Sequence, residues 1–159
     1  MRLAIIVLED EAEVRAALGR DLASVAKVAR VEFAEDVPDA WEVVGEIDAD
    51  GDVLALVLAD HRLPGTSGVD FLVQMQSDPR TGPARTVLVT GQADQGDTIK
   101  AVNQAGLDHY IAKPWKPDDL LAVVREQLTD FVIASKLDPL PHLTILDAVR
   151  AMDSLRARY

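Results

Sequence analysis

Residues that could carry out acid, metal or phosphate chemistry stand directly after short apolar runs. They are Glu9 and Asp10 after the run 3–8, Asp60 after 53–59, Thr90 after 86–89, and Lys113 after 109–112. If these runs are parallel strands of one sheet, their carboxyl ends share the edge at which open α/β sheets bind ligands. We therefore expect three carboxylates, a hydroxyl and an ammonium to converge there.

This set of groups suits the handling of a phosphoryl group. Three adjacent carboxylates raise one another's pKa unless a cation compensates them, and Mg²⁺ favours carboxylate oxygens together with water and phosphate oxygens. Lys113 offers a compact positive charge for a phosphoryl oxygen, and Thr90 with the Gly91 N–H could hold another. One carboxylate could itself attack phosphorus and form an aspartyl phosphate.

Each of these residues also has an ordinary structural interpretation. Glu9 and Asp10 could cap a helix, Asp60 could be a turn residue, and Thr90 and Lys113 could be plain strand ends. The prediction rests on their joint placement, because a chance coincidence at four strand ends is improbable. The constellation is therefore specific although its members are not.

Short apolar runs alternate with helical patterns, which is typical of βα units around a parallel sheet. The predicted strands are 3–8, 28–33, 53–59, 86–89 and 109–112. The predicted helices span Val14 to Val25, Ala40 to Ile47, Val69 to Met75, Asp94 to Ala105, and Leu121 to Leu128 after Pro117. In the fourth of these helices, Ile99 and Val102 are the candidates for the buried face. Five such units predict one α/β domain over residues 1–132.

The segment 133–159 differs from the α/β domain in its sequence pattern. Asp138-Pro139-Leu140-Pro141 predicts a stiff linker, and Thr144 with Asp147 resembles a capping box that opens an amphipathic helix. We expect a C-terminal helical extension. It could pack on its own domain, form a homodimer, or begin an output domain.

Composition limits the remaining classes of function. The chain has a formal charge of −11 and no cysteine. The negative charge disfavours direct nucleic-acid binding, and the missing thiols exclude disulfides and cysteine nucleophiles. No apolar run is long enough for a membrane span or a signal peptide, so a cytoplasmic protein is expected.

Over about residues 1 to 130 the sequence resembles the response regulator receiver family. The matching residues are Val7 to Glu11, Leu58 to Gly65, Gly68, Val89-Thr90-Gly91 and Tyr110 to Trp115. The resemblance implies a flavodoxin-like, doubly wound, five-stranded parallel sheet of order 2-1-3-4-5. It also implies that Glu9, Asp10, Asp60 and the backbone carbonyl of Arg62 hold Mg²⁺.

The same resemblance implies a switch rather than an enzyme. Asp60 would accept a phosphoryl group from a sensor histidine kinase or a histidine phosphotransfer protein. Thr90 would move toward that group and Tyr110 would turn inward, remodelling the surface formed by the helix at 94–105, the strand at 109–112 and the helix after Pro117. A downstream effector protein or a following output domain would recognise the new surface.

Some positions depart from the family pattern, and other functions compete with it. Glu9 replaces the more usual aspartate, and Arg62 and Gln92 stand where receivers tune the lifetime of the acyl phosphate. A Mg²⁺-dependent aspartyl-phosphate hydrolase would need an aspartate at position 62. A flavin carrier would need a phosphate loop rich in Ser, Thr and Gly where this chain has Glu9-Asp10-Glu11. An interaction-only pseudo-receiver would show no acyl-phosphate chemistry.

Overall fold

The computed structural model describes residues 1–91 and 106–159. Its strands are β1 (Leu3–Leu8), β2 (Arg30–Ala34), β3 (Val53–Ala59), β4 (Arg85–Thr90) and β5 (His109–Ala112). They form one five-stranded, all-parallel sheet of order β2-β1-β3-β4-β5. The sheet confirms the predicted flavodoxin-like order.

The helices of the described part, numbered here in chain order, are α1 (Ala12–Asp21), α2 (Val37–Ala49), α3 (Gly68–Met75), α4 (Pro117–Ala134) and α5 (Ala148–Arg156). Short 3₁₀ helices occupy Val25–Lys27 and Leu140–Ile145. The helix predicted at Asp94–Ala105, with Ile99 and Val102, and the position of Gln92 lie outside the described residues. None of the helices in the described ranges combines the length and apolarity needed to cross a bilayer.

β1 shows why its apolar run has no polar gaps. Successive side chains of a strand point to opposite faces, and all six residues of β1 are buried. Leu3, Ile5 and Val7 belong to a core shared with α1 and α4, and the residues between them belong to a core shared with α2 and α3. Both faces of the sheet are thus covered, and its functional groups can emerge only at the strand ends.

Two predicted boundaries moved near β2. Helix α1 ends at Asp21, whereas the apolar spacing predicted a helix through Val25, and β2 begins at Arg30 instead of Val28. The carbonyl of Val25 accepts the N–H groups of Val28 at 3.0 Å and Ala29 at 2.9 Å. Those two donors are used in a local turn, so pairing with β1 starts at Arg30, two residues later than predicted.

The C-terminal extension packs against its own domain. Ile145, Leu146 and Ala151 are buried in the same core as residues of α4. The side chain of Asp147 caps α5 by accepting the Arg150 N–H at 3.2 Å, whereas Thr144 lies inside the preceding 3₁₀ helix. The N-cap of α5 is therefore Asp147, three residues later than Thr144, the N-cap of the predicted capping box.

Candidate acidic site at the carboxyl edge of the sheet

Backbone hydrogen bonds continue past the ends of the strands and fix the first polar residue after each. The N–H of Glu9 donates to Ala34 at 3.0 Å, and the N–H of Asp60 donates to Leu8 at 2.9 Å. On the other side of the sheet, the N–H of Lys113 donates to the Thr90 carbonyl at 2.9 Å. The polar residues are thus positioned by the sheet and not by flexible loops.

The three carboxylates meet as the sequence predicted. Glu9, Asp10 and Asp60 each present an oxygen within 4.8 Å of the others. Glu9 is 1% exposed and Asp60 is 5% exposed, whereas Asp10 is open to solvent. Two buried acids and one exposed acid therefore share one small volume.

Lys113 bridges the two buried acids. Its ammonium donates to Oε2 of Glu9 at 3.1 Å and lies 3.4 Å from Oδ1 of Asp60. The second oxygen of Glu9 accepts the N–H of Glu11 at 3.2 Å. The added methylene of Glu9, compared with aspartate, carries its carboxylate across to the lysine.

Burial and mutual repulsion change the ionisation of this cluster. Burial raises the pKa of Glu9, and the nearby charge of Asp60 adds to that rise. Burial also raises the pKa of Asp60, although Lys113 and the Arg62 N–H oppose it. Burial disfavours the Lys113 ammonium, but the carboxylates of Asp60 and Glu9 outweigh burial and raise the pKa of Lys113. The negative charge of the site is only partly compensated.

The donor atoms fit a hard divalent cation. All three acids offer carboxylate oxygen, and such oxygens are the ligands that Mg²⁺ and Ca²⁺ prefer. The exposure of Asp10 leaves one side of the cluster open, as Mg²⁺ requires because it keeps several waters. A cation there would relieve the repulsion that raises the pKa of both buried acids.

Gly68 permits the close approach of α3 to the loop that begins at Asp60. A Cβ at this position would lie 2.0 Å from the backbone oxygen of Asp60, and the Gly68 N–H donates to His61 at 3.0 Å. Ser67 caps α3 by accepting the Asp70 N–H at 3.1 Å. The glycine is therefore required by space, because any side chain would displace the Asp60 backbone.

The remaining predicted residues flank this cluster. Thr90 is 3% exposed at the end of β4, and its carbonyl accepts the N–H of Lys113, the residue that follows β5. Beside Gly91 there is open space among the described residues, where an added Cβ would meet no atom within 4 Å. Tyr110 is 50% exposed on the edge strand β5.

Sequence reasoning missed Arg15. Its Nη1 donates to the carbonyl oxygens of Glu9 at 2.9 Å and Asp10 at 3.1 Å, and its Nη2 lies 3.4 Å from Glu35. A signal was present: an arginine this near the start of α1 opposes the helix dipole, so a contact outside the helix was the natural reason for it.

Comparisons with known proteins agree with this geometry. A family model described as the response regulator receiver domain matches residues 5–125. The hydrogenase transcriptional regulatory protein HoxA of Bradyrhizobium diazoefficiens is 34% identical over 122 residues, covering 77% of this chain and 23% of that protein. The phosphate regulon transcriptional regulatory protein PhoB of Escherichia coli is 31% identical over 121 residues, covering 76% of this chain and 49% of that protein.

A solved structure shows the same fold. A response regulator receiver domain protein (CheY-like) from Methanospirillum hungatei superposes with a TM-score of 0.69 at 24% identity, covering 82% of this chain and 97% of that one. The chain spans 23% to 49% of the length of the two curated relatives named above. The similarity therefore concerns one domain of those regulators.

Proposed function

This chain belongs to the response regulator receiver family of two-component signalling, and from that premise we propose that it accepts a phosphoryl group on Asp60 in a Mg²⁺-dependent reaction. One observation carries the proposal. Three carboxylates share a volume in which their oxygens lie within 4.8 Å, and the Lys113 ammonium stands 3.4 Å from Asp60. The carboxylates repel one another in the absence of a cation, and a bound cation together with Lys113 would offset the charge of both the carboxylates and a phosphoryl group.

The proposed transfer is a displacement at phosphorus. A carboxylate oxygen of Asp60 forms the new O–P bond while the P–N bond of a phosphohistidine breaks, and the histidine nitrogen keeps the electron pair. Lys113 pairs with a phosphoryl oxygen, and Thr90 and the Gly91 N–H hold another. Bound Mg²⁺ would supply charge neutralisation, with Glu9, Asp10, Asp60 and the Arg62 carbonyl holding it.

Phosphorylation would then act as a local electrostatic switch. It adds about −1.5 to −2 charges beside Thr90, which is buried, and we propose that Tyr110 responds from its half-exposed position on β5. The donor would be a sensor histidine kinase or a histidine phosphotransfer protein. The receiver surface that includes β5 and α4 would bind an effector protein or an output domain. We propose signalling rather than hydrolysis, because Arg62 stands where a hydrolase of this chemistry needs an aspartate.

The test uses small phosphoryl donors. The protein is incubated with acetyl phosphate or phosphoramidate, with and without Mg²⁺, and its intact mass is measured. We expect a phosphate adduct that requires Mg²⁺ and is absent from Asp60→Asn. No adduct on the wild type under either donor would refute the proposal, and steady turnover of simple phosphoesters would favour a hydrolase instead.

A further inference from the structure

We propose that Arg15 is a positioning residue for the cation site, setting the orientation of the acid pair through its backbone. This inference rests on the proposed Mg²⁺-dependent function. The guanidinium of Arg15 donates from one nitrogen to two consecutive carbonyl oxygens, those of Glu9 and Asp10. Since it holds the peptides on both sides of the Asp10 Cα, it limits the directions in which that side chain can point.

The two acids differ in how much they need this support. Glu9 is held through its N–H by Ala34, through Oε1 by the Glu11 N–H and through Oε2 by Lys113. The carboxylate of Asp10 is exposed and accepts no hydrogen bond from residues 1–91 or 106–159. Its orientation therefore depends on its backbone, and Arg15 is the side chain that fixes that backbone.

The second terminal nitrogen of the Arg15 guanidinium contacts another segment of the chain. Nη2 of Arg15 lies 3.4 Å from Oε1 of Glu35, which follows β2, so the guanidinium connects α1, the acid pair and the loop after β2. Arg15 is mostly buried, whereas Glu35 is 71% exposed. We therefore expect the carbonyl contacts to matter more than the ion pair, which water screens.

Position and charge predict opposite effects, which makes the inference testable. If Arg15 acts through the carbonyls, its removal loosens Asp10 and weakens cation binding. If only its positive charge matters, its removal lessens repulsion and strengthens cation binding. Arg15→Gln removes the charge and the two-carbonyl clamp, and Arg15→Lys keeps the charge but loses the planar geometry.

The measurement is the affinity for Mg²⁺ alone, followed by tryptophan fluorescence and checked by calorimetry. Arg20→Gln is the matched control, because Arg20 lies on the same helix, is exposed, and makes the same charge change away from the acid pair. Urea unfolding without Mg²⁺ shows whether each variant is folded under the conditions of the titration.

We expect Arg15→Gln and Arg15→Lys each to raise the Kd for Mg²⁺ about 10-fold, Glu35→Gln to raise it less, and Arg20→Gln to leave it unchanged. Unchanged or tighter binding in Arg15→Gln, with the wild type binding normally, would overturn the inference and leave the proposed function intact. A wild type that binds no Mg²⁺ would overturn both. If Arg15→Gln does not fold, the decision rests on Arg15→Lys and Glu35→Gln.

Discussion

Asp60→Asn should make the metal-free protein more stable, even though it removes the proposed phosphoacceptor. Asp60 is 5% exposed, and burial raises its pKa. The ionised carboxylate is thus held in a place that disfavours its charge. Asparagine has nearly the same shape and can still accept a hydrogen bond from the Arg62 N–H.

The size of the effect follows from opposing terms. At an effective dielectric constant of about 20, the Glu9 and Asp60 carboxylates, within 4.8 Å, repel by at least about 3.5 kcal/mol. The Lys113 ammonium at 3.4 Å attracts Asp60 by about 5 kcal/mol on the same scale. Asparagine loses both the repulsion from Glu9 and part of the attraction to Lys113, and these two changes nearly cancel. The sign of the change in the free energy of unfolding is therefore decided by the cost of burying the Asp60 charge. We expect a gain of about 1–2 kcal/mol, or roughly 3–6 °C in Tm for a chain of this length.

The assay is urea and thermal unfolding without metal at pH 7.5, repeated at lower pH. A carboxyl whose pKa is higher in the folded chain costs stability as the pH rises through that range. The advantage of asparagine should therefore be present at pH 7.5 and shrink on acidification. Saturating Mg²⁺ at about 100 times its Kd should stabilise the wild type by about 2.7 kcal/mol and the variant much less. A variant less stable than the wild type at pH 7.5 would refute this reasoning.

Three further changes test other parts of the structure. Lys113→Met should cost about 1–3 kcal/mol at pH 7.5, because both buried acids lose their shared partner, and urea titrations should show the cost falling as acid protonates them. Gly68→Ala should cost about 1–3 kcal/mol and slow phosphorylation by acetyl phosphate, because its Cβ would overlap the Asp60 backbone. Thr129→Val should cost about 1–3 kcal/mol in urea unfolding, because the buried Oγ1 donates to Arg125 and accepts the Asp147 N–H.

The sheet and its carboxyl edge could be predicted because each depends on a pattern that is local in sequence. β1 and β3 are buried on both faces, so their apolar runs are continuous and end abruptly at Glu9 and Asp60. Parallel order then brings those ends together without any knowledge of side-chain contacts. The bounds of β1 and β3 were predicted to the residue for this reason.

Contacts that depend on two distant segments could not be predicted in this way. Thr129 is fully buried on α4 because the C-terminal extension covers it and Asp147 donates to it. Nothing in the sequence around Thr129 indicates that the C-terminal extension packs over it. Arg15 gave only an indirect sign, because its partners are carbonyl oxygens, which every residue carries.

The rigidity of the sheet explains how two buried carboxylates remain close together. Glu9 and Asp60 could reduce their repulsion by moving apart, but the ladder bonds from their own N–H groups to Ala34 and Leu8 hold both at the sheet edge. The charge that the Glu11 and Arg62 N–H groups leave uncompensated can then be relieved by a proton, by Lys113 or by a bound cation. A proton on Asp60 would remove the proposed nucleophile, and a phosphoryl group would compete for Lys113. A bound cation therefore offsets the carboxylate charge in a way that is compatible with phosphorylation. The buried strands, by holding the two carboxylates together, create the need for that cation and so support the proposed chemistry at Asp60.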